Sequence, residues 1–236
     1  MGAQDLNGRR VIVTGGASGI GAATVSALRG RGYRVGALDL SDRADADHAV
    51  AVDVSDGAAV TGAVAEIERR LGPIAALVTS AGHYEMAPVG EISVQAWRRM
   101  LRVHLGGFFN ASRACLPGML RRRSGAIVAV ASELAVGGGE HDAHYAAAKG
   151  AILGLARSLA VEVAGSGVRV NVVAPGPTDT PLLAADSPWR AEDYLATLPL
   201  RRLTAPAEVA RCVEYLVCDA TFSTGDVVNV NAGAVI

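Results

Sequence analysis

Cysteine, unbalanced charge, long apolar runs and linker-like tracts are all scarce in this chain, and each scarcity removes a class of protein. The three cysteines, Cys115, Cys212 and Cys218, are scattered through 236 residues without a metal-type pair. A chain this long needs no disulfide staples, so buried, reduced thiols are expected. Lys plus Arg is 22 and Asp plus Glu is 23, a net charge of −1, which leaves nothing to recruit nucleic acid or an anionic membrane. The one basic run, Arg121-Arg122-Arg123, suits the end of a helix, where cations offset the dipole. No apolar run approaches the roughly 20 residues that span a bilayer. The opening residues pass straight into a short apolar strand without a signal-peptide core, and Gly2 lacks the Ser or Thr at position 6 that myristoylation needs. A cytoplasmic protein is expected. Internal repeats, low-complexity tracts and Pro/Ser linkers are also missing, and 50% hydrophobic content with positive mean hydropathy can fill one large core. One domain over 1–236 follows.

What is present is a rhythm. Short Val/Ile-rich runs, too uniformly apolar to alternate, recur between longer Ala-rich stretches, the pattern of buried parallel strands and crossover helices. Strands are predicted at Arg10–Thr14, Arg34–Asp39, Ala49–Val54, Ile74–Thr79, Ala126–Ala131, Arg169–Ala174 and Val227–Val230. Helices are predicted near 19–31, 57–71, 93–122, 143–164 and 206–218. Right-handed crossovers turn this series into an α/β fold, a Rossmann-type doubly wound parallel sheet of about seven strands, with ligands beyond the carboxyl ends of the strands. The Pro-rich stretch near 177–205 has weak periodicity and suits a partly helical substrate lid.

The first strand runs into Thr14-Gly15-Gly16-Ala17-Ser18-Gly19-Ile20-Gly21 and then a helix. Glycines there let a phosphate approach free backbone N–H groups at the positive end of a helix dipole. Asp39 ends the second strand, 18 residues past Gly21, close to the roughly 20 expected of an acid that binds the adenosine ribose. A carboxylate there repels a 2′-phosphate, and no Arg or Lys stands at 40 or 41. NAD(H) is therefore favoured, while Arg43 nearby keeps NADP(H) open. Asp39 as a simple helix cap is the competing reading. Asp53-Val54, after the third strand, suits an adenine contact or, equally, a turn.

Tyr145 and Lys149 stand four apart in a helical stretch, so they share a face and the ammonium can stabilise a phenolate. Ser132 follows the fifth strand, where its hydroxyl can orient a substrate oxygen. His83, Tyr84, Glu133, His141 and His144 flank these positions and are candidates to converge on substrate, with Trp189 and Tyr194 in the lid. Val-Ala-Ser-Glu-Leu around Ser132 lacks the Gly-x-Ser-x-Gly elbow of a hydrolase. Glu140, His141 and His144 lack any recognised metal spacing, so no metal is expected.

Together these pieces resemble the short-chain dehydrogenase/reductase family over essentially the whole chain: Thr14-Gly-x-x-x-Gly-Ile-Gly21, Ser132 placed 13 residues before Tyr145, Tyr145-x-x-x-Lys149, Asn171 with Pro175-Gly176, and Thr180. The resemblance implies Tyr145 as general acid/base, Lys149 holding the cofactor ribose and lowering the Tyr145 pKa, and Ser132 polarising the substrate oxygen. It further implies Thr180 on the nicotinamide carboxamide, Pro175, Gly176, Ala81 and Gly82 along the cofactor, and a homotetramer or homodimer built on long helix pairs. Two positions depart from the family. Thr79-Ser80-Ala81-Gly82 stands for Asn-Asn-Ala-Gly, and His104, in Val103-His104-Leu105, stands for a catalytic Asn that helps hold a water beside the lysine. An imidazole there can itself pass protons near neutral pH.

The expected activity is NAD-dependent hydride transfer between nicotinamide and a secondary alcohol or ketone. Two alternatives remain open: an NADPH-dependent 3-oxoacyl-thioester reductase with the same catalytic residues, and a cofactor-binding regulatory protein with little turnover because of His104.

Overall fold

The computed structural model describes residues 9–235; the opening residues discussed above, with Gly2, lie outside them. Seven parallel strands form one sheet in the order β3-β2-β1-β4-β5-β6-β7. In chain order these are β1 (Arg10–Thr14), β2 (Arg34–Asp39), β3 (His48–Ala51), β4 (Ala76–Thr79), β5 (Gly125–Val130), β6 (Val168–Pro175) and β7 (Val227–Val230). The helices are α1 (Gly19–Gly30), α2 (Gly57–Leu71), α3 (Val94–Leu101), α4 (Gly107–Arg122), α5 (Leu134–Gly137), α6 (Ala143–Val163), α7 (Glu192–Thr197) and α8 (Pro206–Cys218).

Alternation along the central strands sorts the core into two layers. Val11 and Val13 face α1 and α8, packing with Val25, Leu28, Val209 and Val213. Ile12 points to the other face with Ile67, Leu77, Phe108, Met119 and Ile152, under α2, α4 and α6. Side chains buried this fully each stabilise the fold by roughly 1.5–3 kcal/mol relative to exposure. Both faces are covered, which is why the strands are uniformly apolar.

The chain winds outward from β1 to β3, then returns to place β4 on the other side of β1. The crevice lies at that reversal. Gly15 sits there with φ +70°, and a Cβ on it would fall 2.8 Å from the Ala81 backbone. Only glycine lets the turns after β1 and β4 approach this closely.

Two expectations change in detail. The edge strand β3 stops at Ala51 rather than Val54, and β4 begins at Ala76 rather than Ile74. The helix predicted at 93–122 runs through 94–122 but changes winding: a π-helical segment, Arg102–Gly106, lies between α3 and α4. His104 sits on that segment. The lid region carries only a 3₁₀ turn (Pro188–Arg190) and the short α7.

Candidate active site

One continuous cavity of about 350 Å³ opens along the carboxyl ends of the strands and runs from the glycine turn to the lid. At one end it is bounded by Gly15, Ser18, Gly19 and Ile20, with Asp39, Asp53 and Val54. Hydrogen bonds tie the glycine turn to β2 and the turn after β4 to β1, and the Gly15 N–H donates to the Leu38 carbonyl at 2.8 Å. The Ala17 N–H donates to Asp39 Oδ2 at 3.0 Å, and Thr14 Oγ1 accepts from the Ser80 and Ala81 N–H groups at 3.1 and 3.2 Å. Asp39 thus steadies the turn while facing the cavity, a role between the cap and the ribose ligand read from sequence. Asp53 also holds its own turn, accepting from the Ser55 N–H at 2.8 Å.

Gly21 does not reach the cavity. A Cβ there would fall 1.9 Å from the Gly15 carbonyl oxygen, so this glycine lets the first turn of α1 seat against the loop. Its expected cofactor contact is corrected to a packing role.

At the other end Ser132, Tyr145, Lys149, His104, Glu133 and His83 converge, and Ala81, Gly82, Pro175, Gly176, Thr180 and Trp189 line the same wall. Ala-rich α6 places Tyr145 and Lys149 one turn apart, both buried, at 8% and 5% exposure. Lys149 Nζ donates to the Val130 carbonyl at 2.9 Å and lies 5.6 Å from the centre of the Tyr145 ring. Tyr84 and His104 meet that ring edge-on, with ring centres 4.9 and 5.4 Å away.

Burial sets the proton affinities. The Tyr145 phenol is pushed above its usual value by desolvation and by the Glu133 and Asp142 carboxylates, with the Ser132 hydroxyl pulling the other way. Desolvation pushes the Lys149 ammonium down to about 7. The expected lowering of the Tyr145 pKa by Lys149 is not seen, because burial and the Glu133 and Asp142 carboxylates set the direction upward. His104 is corrected in the same way. Desolvation and Lys149 hold its imidazole well below the usual histidine range, so it stays neutral instead of titrating near pH 7.

His104 Nε2 is 2.8 Å from the His83 carbonyl oxygen, and its Nδ1 is buried without a partner. Beside it Thr14, Thr79, Val130 and Lys149 bound a second space of about 10 Å³, the size of one water.

His144 was expected on the substrate and is not brought there. One position before Tyr145 on α6, it is rotated about 100° away and is buried at 1% exposure, outside the cavity wall. His141 is likewise outside the wall. Leu40, Arg99 and Thr178 line the cavity without having been anticipated. Leu40 carried a signal, an apolar residue directly after a strand-end Asp; nothing in the sequence separates Arg99 from Arg98. From the lid, Trp189 Nε1 donates to the Tyr84 hydroxyl at 2.7 Å, and Trp189 packs edge-on against Tyr194. Among the described residues no three His, Cys, Asp or Glu side chains gather as a metal site, and no helix is long and apolar enough to cross a membrane.

A parallel sheet of this order with a glycine turn at its crevice defines the class, a Rossmann-type dinucleotide-binding fold. Known proteins narrow it. A family profile described as enoyl-(acyl carrier protein) reductase matches residues 15–235. The cis-4-hydroxycyclohexanecarboxylate dehydrogenase of Sinomonas cyclohexanicum is 39% identical over 95% of this chain and 96% of that protein. A 3-oxoacyl-[acyl-carrier-protein] reductase of Thermotoga maritima is 32% identical over 98% and 99%. The ligand-free aldohexose dehydrogenase of Thermoplasma acidophilum superposes with a TM-score of 0.90 at 31% identity, over 98% of this chain and 96% of that one. The chain belongs to the short-chain dehydrogenase/reductase family, and it is an oxidoreductase acting on CH–OH groups with NAD(P).

Proposed function

We propose that the protein is an NAD-dependent dehydrogenase of secondary alcohols, acting as one domain over 1–236 with a substrate lid near 177–205. The observation that carries this is the convergence of buried Ser132, Tyr145 and Lys149 on the cavity that also holds the glycine turn and Asp39. The cradle suits a dinucleotide: Gly15 and Gly19 adopt positive φ, and a Cβ on Gly19 would lie 3.2 Å from Thr180. Gly15, Ser18, Gly19 and Ile20 would hold the pyrophosphate, Asp39 the adenosine ribose, Asp53 and Val54 the adenine, and Ala81, Gly82, Pro175, Gly176 and Thr180 the nicotinamide half. When bound, the cofactor supplies the hydride acceptor or donor.

The chain's own residues handle the proton and the geometry. Ser132 fixes the substrate oxygen, and Tyr145 removes its proton as the alcohol becomes a carbonyl, or returns it in the reverse direction. Lys149, anchored on the Val130 carbonyl, passes that proton toward the space bounded by Thr79 and His104. His104 holds this path as a neutral imidazole. His83, Glu133 and Trp189 shape the substrate end. With the phenol held above its ordinary pKa, Tyr145 keeps its proton at neutral pH, so alcohol oxidation should accelerate as pH rises above 7.

Asp39, which lines the cavity, supports NAD(H) over NADP(H), because a carboxylate that holds the adenosine ribose would repel a 2′-phosphate. This separates the reading from an NADPH-dependent acyl-thioester reductase. Exposed Phe109 on α4 and Val161 on α6, at 48% and 83% exposure, supply apolar surface for a homotetramer or homodimer, which light scattering would reveal. Free cysteines suit a cytoplasmic enzyme.

The experiment is a paired fluorescence titration with NADH and NADPH, followed by a panel of secondary alcohols and ketones with the tighter cofactor. Tighter NADH binding with turnover is the expected result. Preference for NADPH would overturn the cofactor assignment, and binding without any turnover would favour a regulatory protein.

A further inference from the structure

Arg99 brings to the substrate end of the cavity a positive charge that neither the proton path nor the cofactor cradle uses. Val103 and His104 follow it by about one turn on the same stretch of helix, and all three line the cavity. Arg99 is exposed and His104 is buried, so the row runs from the mouth inward, over roughly 7 Å of helix axis. At the inner end the His104 ring centre lies 5.4 Å from that of Tyr145 and 5.4 Å from that of His83. Burial first, and then the Arg99 charge, hold the His83 imidazole below its usual range, so the guanidinium acts on this same end of the cleft. Glu85 also acts on His83 but stands outside the cavity wall. Among the described residues no carboxylate pairs with Arg99, whereas Arg190 of the lid is paired with Asp179 at 2.8 Å. Tyr84, Val103, Leu134, Leu182, Leu183 and Trp189 make much of the adjoining wall apolar or aromatic. A charge beside such a wall is screened less than one in open water.

Resting on the reading of the chain as an alcohol dehydrogenase, we propose that Arg99 receives a carboxylate of the substrate, several bonds from the reacting carbinol, so that the preferred substrates are hydroxy acids and the corresponding oxo acids. A planar guanidinium offers parallel N–H donors that match the two oxygens of a carboxylate. The separation follows from the helix. The reacting oxygen belongs at Ser132 and Tyr145, beside His104, and Arg99 stands one turn further out toward the mouth. The acid at this end does not oppose an anion: Glu133 Oε2 is closed off from the cavity, and burial pushes its carboxyl up to about 8, so it is largely protonated at neutral pH. Lys149 is held by the Val130 carbonyl deep in the site, which leaves Arg99 as the cation that can meet the tail of a substrate.

The test compares kcat/KM for 5-oxohexanoate with that for its neutral isostere 5-oxohexanamide in wild type, Arg99→Met, Arg99→Lys and Arg98→Met, with NADH as reductant. Both arginines are exposed, so these variants should fold as wild type does. Calorimetric binding of acid and amide to Tyr145→Phe carrying NADH, with and without Arg99→Met, adds a readout independent of turnover. Wild type should favour the acid by about tenfold or more. Arg99→Met should bring that ratio near one, mainly by raising KM for the acid. Arg99→Lys, a point charge without the fork, should keep part of the ratio, and Arg98→Met, one residue away and outside the wall, should keep all of it. 2-Oxohexanoate, whose carboxylate adjoins the carbonyl, should lose far less than 5-oxohexanoate in Arg99→Met. Equal kcat/KM for acid and amide in wild type overturns the proposal. So does a ratio unchanged in Arg99→Met, or a loss as large for 2-oxohexanoate. If nothing turns over but Tyr145→Phe selects the acid and loses that selection with Arg99→Met, the dehydrogenase reading fails and this one stands; turnover without selection gives the reverse.

Discussion

The glycine end of the cavity and the tyrosine end are made of different material. Around Gly15, Ser18 and Gly19 the wall is mostly backbone, tied down by hydrogen bonds from Ala17 to Asp39 and from Ser80 and Ala81 to Thr14. Around Tyr145 it is titratable side chains, Lys149, His104 and Glu133 among them, every one displaced by burial from its solution proton affinity. The first end works by shape and accepts almost no added atom. The second works by electrostatics that exist only because water is excluded.

The comparison can be broken most forcefully at the tyrosine. Tyr145→Phe should lower kcat/KM by at least about 100-fold, the range of a lost general acid/base, while moving NADH affinity by less than about threefold. Steady-state kinetics beside a fluorescence titration measure both, and an equal collapse of the two would mean that the ends are not separable. The complementary change is Gly15→Ala. Its methyl meets the Ala81 backbone at 2.8 Å in a φ +70° conformation, so NADH affinity should fall about tenfold or more, with stability lower by about 1–3 kcal/mol. Retained affinity and an unchanged Tm would refute the steric account.

A smaller effect separates the buried charges. Glu133 has its pKa raised from 4.5 to about 8, so the fold holds its proton more tightly than the unfolded chain does. Its stabilising contribution is complete below about pH 4.5 and is lost as pH rises through 8. Lys149, lowered from 10.5 to about 7, runs the other way: it penalises the fold below pH 7, and the penalty lifts between 7 and 10.5. Glu133→Gln should therefore gain on wild type as pH climbs from 4.5 to 8, by at most about 1.4 kcal/mol per pH unit. Lys149→Met should gain most below pH 7. Urea unfolding of the cofactor-free protein across pH reads both, and parallel curves for wild type and variants would remove burial as the cause. The smallest change is Trp189→Phe, which deletes the 2.7 Å bond from the lid to Tyr84. One hydrogen bond of about 1 kcal/mol predicts a roughly fivefold higher substrate KM with kcat nearly constant, and a change confined to kcat would argue against a lid contact.

Legibility follows the same division. β1, β2 and β7 match the predicted strands residue for residue; for β1 and β2 the reason is that a strand buried on both faces announces itself by largely apolar composition, whereas the edge strand β7 is only partly buried and contains Asn229. The edge strand β3 was overextended, since Val52 and Val54 remain apolar to cover α2 while no longer pairing as strand. The glycine turn, Asp39 and the Tyr145–Lys149 spacing were legible as local patterns. His144 was misplaced, because neighbours on a helix face different ways and only the docked orientation of α6 decides which one meets the cavity. The π segment under His104 left no pattern, as it replaces one helical hydrogen-bond spacing by another without changing composition.

The sequence by itself determined the class of this protein, the run of its strands and the phosphate-binding turn, since glycine placement and hydrophobic periodicity act over a few residues. Tertiary structure alone decided that Tyr145 holds its proton, that Lys149 sits near its titration point, that His104 stays neutral and that Glu133 Oε2 is buried without a partner. Each of these depends on how much water is excluded and on which distant chain segments exclude it, and neither quantity is written in any short stretch of the chain.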